Sequence, residues 1–299
     1  MQMNNQTYKT FFIMFIVIFI WVFSLPILFI TSIIWLPVGS ALLIASSAIS
    51  LLAQIHYNDK IIIDGTMRKI MQSIPFYEWF ESYTEHQEPY NNGLILAHPH
   101  GILCCGMVIH HFKSKNTVMA VAPILFYVPI FGWAARSCGL IPATNEMIRK
   151  ALNNKYKVIL YIGGIEELIA HQNNQLYIEK RWGYLKIIRD LKIPVTIAWV
   201  KGENNTFYLP PLPFLKLRQL MVKYLGFGIM FPWFFGWKNI WIPKPVALDV
   251  HFKKLKFAQN LNSLTELKHS YHLNLFQLIQ IVYGEESQES RHFRQFLLA

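Results

Sequence analysis

Leu94-Ile95-Leu96-Ala97-His98-Pro99-His100-Gly101 is a short apolar run that ends in two histidines bracketing a proline. A run of this kind fits a buried strand. Pro99 fixes its own φ and restrains His98 towards an extended backbone. Gly101 leaves the chain bare beside the second imidazole, so a ligand can come close. Ile102–Ile109 then has the pattern of a helix start. The expected local structure is a strand-to-helix corner carrying His98 and His100. Its backbone N–H groups at the helix N-terminus would face a developing negative charge. A His-x-His pair also fits a solvated loop, or two ligands of a metal whose other ligands come from elsewhere.

The same device recurs downstream. Lys157–Ile162 is an apolar strand running into Gly163-Gly164-Ile165-Glu166-Glu167. Paired glycines admit close backbone approach, and a carboxylate near the histidines would orient an imidazole and stabilise its protonated form. Val195–Val200 is a further strand, ending in Lys201-Gly202-Glu203-Asn204-Asn205. Thr117–Pro123 and Val246–Val250 also have strand character. Helical spacing is found at Thr66–Ile74, Met147–Asn153 with Thr144 as N-cap, Tyr184–Leu191 stopped before Pro194, and Ser263–Gly284. Pro75–Phe80 is aromatic-rich and fits either the membrane surface or a loop packed on the core. Strand and helix alternate, with polar groups repeatedly at strand ends. That pattern predicts an α/β domain with its site on one edge of a central sheet.

The chain has 299 residues, is 53% hydrophobic and only 15% charged, too apolar for an ordinary soluble enzyme. Residues 10–58 contain no Asp, Glu, Lys or Arg. One membrane span needs about 20 apolar residues, so this stretch holds a hairpin of two spans, Phe11–Ile30 and Ile33–Ala53, or a single re-entrant segment. Lys9 before it and Lys60, Arg68 and Lys69 after it place both flanks on the cytosolic face. Three cysteines, two of them adjacent, make no disulfide framework and fit a reducing compartment. The net charge of +11 lies among aromatics with no nucleic-acid motif, so anionic lipid and a phosphate-bearing cosubstrate are the expected partners.

His98-Pro99-His100-Gly101 after an apolar strand resembles the signature of the type 2 diacylglycerol acyltransferase family, which includes monoacylglycerol acyltransferases and some wax synthases. Gly163, Gly164 and Glu167 match that family's Gly-Gly-x-x-Glu, with Glu166 where a small apolar residue is usual. Arg181, Gly183 and Tyr184 match a basic element before Gly-Phe that is associated with acyl-CoA. Gly202, Glu203 and Asn204 match Phe-Gly-Glu-Asn, with Lys201 departing. Asn145 stands where the family commonly carries arginine, one helical turn before Arg149. Trp182 also departs, and His251-Phe252 replaces a Gly-x-Pro. The resemblance covers roughly Gly93 to Pro245.

The resemblance implies a glycerolipid-acyltransferase-like mixed sheet with flanking helices, preceded by an N-terminal transmembrane hairpin. Residues 1–58 would form the hairpin and 59–299 a cytosol-facing catalytic domain, multi-pass in the endoplasmic reticulum membrane. The implied reaction moves a fatty acyl group from acyl-CoA, a cosubstrate, to the hydroxyl of diacylglycerol, making triacylglycerol. Monoacylglycerol or a long-chain alcohol is the alternative acceptor. No cofactor or metal is implied, and a homo-oligomer is left open. In the corresponding mechanism His98 is the general base, with His100 as the competing candidate, and Glu167 orients the imidazole. Backbone groups of Gly101, Gly163 and Gly164 stabilise the oxyanion. Pro99, Arg181, Gly202, Glu203 and Asn204 contact substrate. A metal-dependent membrane enzyme using His98, His100, His110 and His111, and an inactive scaffold, are the readings from other classes.

Overall fold

The computed structural model describes residues 60–128, 131–164, 167, 182–210, 234–239, 242–255 and 263–285, with isolated positions elsewhere. Apart from such isolated positions, the expected hairpin lies outside the described residues, as do Arg181 and Glu166. Among the described residues no helix is long and apolar enough to cross a membrane.

Three central strands carry the three motifs. They are β2 (Gly93–His98), β5 (Lys157–Tyr161) and β6 (Val195–Lys201). With β1 (Ser82–His86), β3 (Thr117–Val121), β4 (Leu140–Pro142) and β7 (Ala247–Leu255) they form one sheet in the order β1-β7-β6-β2-β5-β3-β4. The run from β6 to β4 is parallel throughout. β7 lies antiparallel to β6 and parallel to β1, so the sheet is mixed as expected.

Burial explains the near-continuous apolar strands. Every residue of β2 is buried, because helices cover both faces of the parallel part. Alternate side chains point to opposite faces. Leu94, Leu96, Val158 and Ile197 pack under α4 (Asn145–Asn153), α5 (Gly183–Leu191) and α6 (Leu264–Tyr283). Ile95, Ala97, Ile159 and Ala198 face α2 (Cys105–Lys113) on the other side, together with Trp79. Helices α1 (Thr66–Ser73) and α3 (Phe131–Ser137) pack against this second layer.

Helix ends follow their caps. The Thr144 side chain accepts the Met147 N–H at the start of α4, as its position predicts, and Ser263 accepts the Thr265 N–H at the start of α6. Helix α2 begins later than expected, at Cys105 rather than Ile102, because Gly101 and Cys104 both take positive φ in a tight turn. The aromatic stretch before β1 is packed rather than open at Trp79, whose indole N–H donates to the Pro243 carbonyl at 2.8 Å.

Candidate active site

The three motif-bearing strands lie side by side in parallel, so their C-terminal ends bring His98, His100, Glu167 and Glu203 to one edge. His98 is the last residue of β2 and is fully buried, at 0% exposure. Its Nε2 lies 2.5 Å from the Tyr271 hydroxyl on α6. Burial pushes the Tyr271 phenol well above its ordinary value, with the charges of Tyr184 and Glu167 adding to this. The hydroxyl therefore keeps its proton, and the Glu167 carboxylate facing the far ring nitrogen favours the arrangement in which that proton is donated to Nε2. That bond leaves the neutral His98 ring with its own proton on Nδ1. Nδ1 faces Glu167 Oε2 at 3.8 Å, and neither atom has a hydrogen-bond partner among the described residues.

Glu167 reaches both histidines. Its Oε1 accepts the backbone N–H of His100 at 2.9 Å. Gly163 makes this geometry possible, since a Cβ there would overlap Glu167 Oε2. The glycine pair thus brings the carboxylate against its own turn.

His100 is half-buried, and its Nδ1 lies 2.8 Å from the Gly101 carbonyl. A carbonyl only accepts, so Nδ1 carries the proton and Nε2 the lone pair. The ring lies 5.0 Å from that of Tyr161. Cys104 Sγ is 3.7 Å from Nδ1. Burial, and then the Glu203 charge, push the Cys104 and Cys105 thiols well above their usual range. Neither is a thiolate at neutral pH, so the Cys104–His100 pair is not set up as a nucleophile.

The expectation that the α2 N-terminus offers open N–H groups is corrected by the structure. Glu203 occupies them: its Oε1 accepts from Cys105 N at 2.7 Å and its Oε2 from Gly106 N at 2.9 Å. The carboxylate is fully buried, and burial lifts it to about 7, against the lowering effect of those backbone bonds. Gly101 packs on it so closely that a Cβ would overlap the Glu203 side chain. Gly202 supplies the left-handed turn (φ 91°) that aims Glu203 inwards, and Asn204 follows in the same turn. Glu203 is thereby placed as the carboxyl cap of α2 and the floor beneath the histidine turn. The His98–Pro99 peptide is cis.

The four histidines do not converge. His110 Nδ1 pairs with Glu85 at 3.1 Å, and His111 Nε2 with the Cys138 carbonyl at 2.9 Å. Burial, then Arg68, lower His111 to about 3. Among the described residues no group of three or more His, Cys, Asp or Glu is placed to hold a metal ion. Arg149 is engaged by Asn145 and Asp190, both at 2.6 Å, on an exposed face.

A family model described as diacylglycerol acyltransferase matches residues 43–240. The chain belongs to this family. Among its relatives are the diacylglycerol O-acyltransferase 2-like protein 6 of Mus musculus, 26% identical over 49% of this chain and 50% of the relative, and the human 2-acylglycerol O-acyltransferase 1, 27% identical over 49% of each. The diacylglycerol O-acyltransferase 2 of Dictyostelium discoideum is 22% identical over 60% of this chain and 62% of the relative. The chain spans about half the length of the first two relatives. A solved structure, the 1-acyl-sn-glycerophosphate acyltransferase of Thermotoga maritima, aligns over 92% of this chain and 95% of its own, with TM-score 0.46 and 14% identity. The family match includes the turns bearing His98, Glu167 and Glu203 but ends before Tyr271, the site residue that sequence reasoning missed. Its only sequence signal is helical phase with Leu267, Leu275 and Leu278, which any core residue shares.

Proposed function

We propose that this chain transfers a fatty acyl group from acyl-CoA to the hydroxyl of a neutral glycerolipid at the endoplasmic reticulum membrane, with diacylglycerol as acceptor and triacylglycerol as product. The observation that carries this reading is the junction of the two motifs: Glu167 bonds the His100 backbone and faces the His98 ring. The names of the relatives, which act on diacylglycerol and on 2-acylglycerol, support the substrate class.

His100 suits the base role better than His98. The acceptor must reach a ring nitrogen, and His98 is wholly enclosed with Nε2 already bonded to Tyr271. His100 stands half-buried, with its Nε2 in the lone-pair form 4.0 Å from Cys104 Sγ. In the proposed step His100 Nε2 takes the proton as the acceptor oxygen attacks the thioester carbonyl. The tetrahedral intermediate then collapses to the ester, and the departing CoA thiolate recovers that proton. The amides of Gly101, Gly163 and Gly164 are the proposed oxyanion donors, since those of Cys105 and Gly106 are taken. Arg181 is proposed to contact the CoA phosphates, where a guanidinium pairs bidentately. Pro99, Gly202, Glu203 and Asn204 act by shaping the turns under the substrate.

The test uses membranes containing the protein, labelled oleoyl-CoA, and diacylglycerol, monoacylglycerol or hexadecanol supplied separately. Wild type should make triacylglycerol, and His100→Ala should lose roughly a hundredfold or more. Product from another acceptor keeps the chemistry and changes the substrate. No acylated lipid from the folded wild type would sink the reading.

A further inference from the structure

Helix α6 holds its place firmly. Leu267, Leu275, Leu278, Ile279 and Val282 are buried along one face, and Tyr271 lies among them at 0% exposure. Lifting the helix to free His98 would expose all of these side chains, so the Tyr271–His98 bond persists while the enzyme works. It is also the first link of a buried chain. The Tyr271 hydroxyl meets His98 Nε2, His98 Nδ1 faces Glu167 Oε2, and Glu167 Oε1 accepts the His100 N–H. The chain crosses from a helix beyond the family-matched stretch to the backbone of the proposed base.

We propose that Tyr271 is a positioning residue of this active site: its hydroxyl, bonded to Nε2, favours the His98 tautomer that turns Nδ1–H towards the Glu167 carboxylate, whose other oxygen accepts the His100 N–H. The tautomer follows from the donor inventory. A phenol proton given to Nε2 forbids a proton there, so the neutral ring carries its own on Nδ1. Without the hydroxyl only the Glu167 carboxylate, 3.8 Å from Nδ1, still favours the Nδ1–H form, and Nε2 loses the donor that disfavours a proton there. With the proton on Nε2, a bare Nδ1 lone pair would face the Glu167 carboxylate and push it from its place. The importance of the residue for turnover rests on the acyl-transfer reading; the tautomer does not.

The experiment compares wild type with Tyr271→Phe as full chains in lipid nanodiscs. Histidines are labelled with 15N, and the His98 signal is assigned from its loss in His98→Gln. Long-range 15N–1H correlation should show His98 protonated on Nδ1 in wild type and wholly or partly on Nε2 in Tyr271→Phe. In parallel, kcat for acyl transfer should fall about ten- to a hundredfold, with KM for acyl-CoA unchanged. Leu278→Ala, on the same buried face, is the control for packing loss and should keep the wild-type tautomer and kcat. An unchanged tautomer in Tyr271→Phe overturns the proposal, as does an equal loss of kcat in a comparably destabilised Leu278→Ala. If wild type itself acylates no acceptor, the functional reading fails, and the tautomer comparison still decides the role of Tyr271.

Discussion

Replacing Glu203 by Gln probes the α2 cap and the cost of burying its charge together. The native carboxylate is wholly enclosed and rises from an ordinary value of 4.5 to about 7. A carboxyl raised on folding stabilises the protein fully below its unfolded value, and that stability is lost as pH climbs through the folded value. Between about pH 5 and pH 8 the wild type should lose about 2.5 kcal/mol from this one group. The glutamine of the Glu203→Gln variant cannot titrate. Its amide oxygen still accepts one of the Cys105 and Gly106 N–H groups, but its NH2 is set against the other, a roughly constant loss of about 1–3 kcal/mol. The stability of wild type relative to Glu203→Gln should therefore fall steadily over this range. Denaturant unfolding of both proteins at several pH values in the same nanodiscs measures it. Parallel stability curves would refute the argument, whatever their offset.

Gly163→Ala should cut turnover at least about tenfold in a folded protein, because the new Cβ displaces the Glu167 carboxylate; acyl transfer and thermal melting together check it. Arg68→Met should cost about 3 kcal/mol by denaturant unfolding. Its buried guanidinium satisfies the carbonyls of Thr117 at 2.6 Å and of His111 and Ser114, both at 3.1 Å. Thr144→Ala should cost about 1 kcal/mol in the same measurement through loss of the α4 cap.

The central strands were legible because burial on both faces demands unbroken apolar runs, and Leu94–Ala97 and Val158–Leu160 have them. Their polar endings, His98 to Gly101 and Gly163 to Glu167, were legible because such residues interrupt that pattern abruptly. The edge strands were not. β1 reads Ser82-Tyr83-Thr84-Glu85-His86 and is mostly exposed, so it has no apolar signal, and β4 is only Leu140-Ile141-Pro142. β7 runs on to Leu255 through Lys253 and Lys254, because it alternates buried and solvent-facing positions. The occupation of the α2 N-terminus by Glu203 was hidden for another reason: it joins residues 97 and 98 positions apart in sequence. Tyr271 was hidden because a hydroxyl that finds a partner inside the core leaves the helical pattern around it unchanged.

The position of β7 constrains how the protein is made. Among the described residues it is the last strand, yet it lies between β6 and the first of them, β1. As the chain leaves the ribosome, β1 emerges early and has no neighbour with which to pair. β6 likewise emerges with its outer edge open. Both wait for Ala247–Leu255, and α6 with its tyrosine follows later still. A nascent chain stalled before this point would present two bare strand edges, the state most exposed to chaperones and to aggregation. The active site is thus among the last parts of this fold to be completed during synthesis.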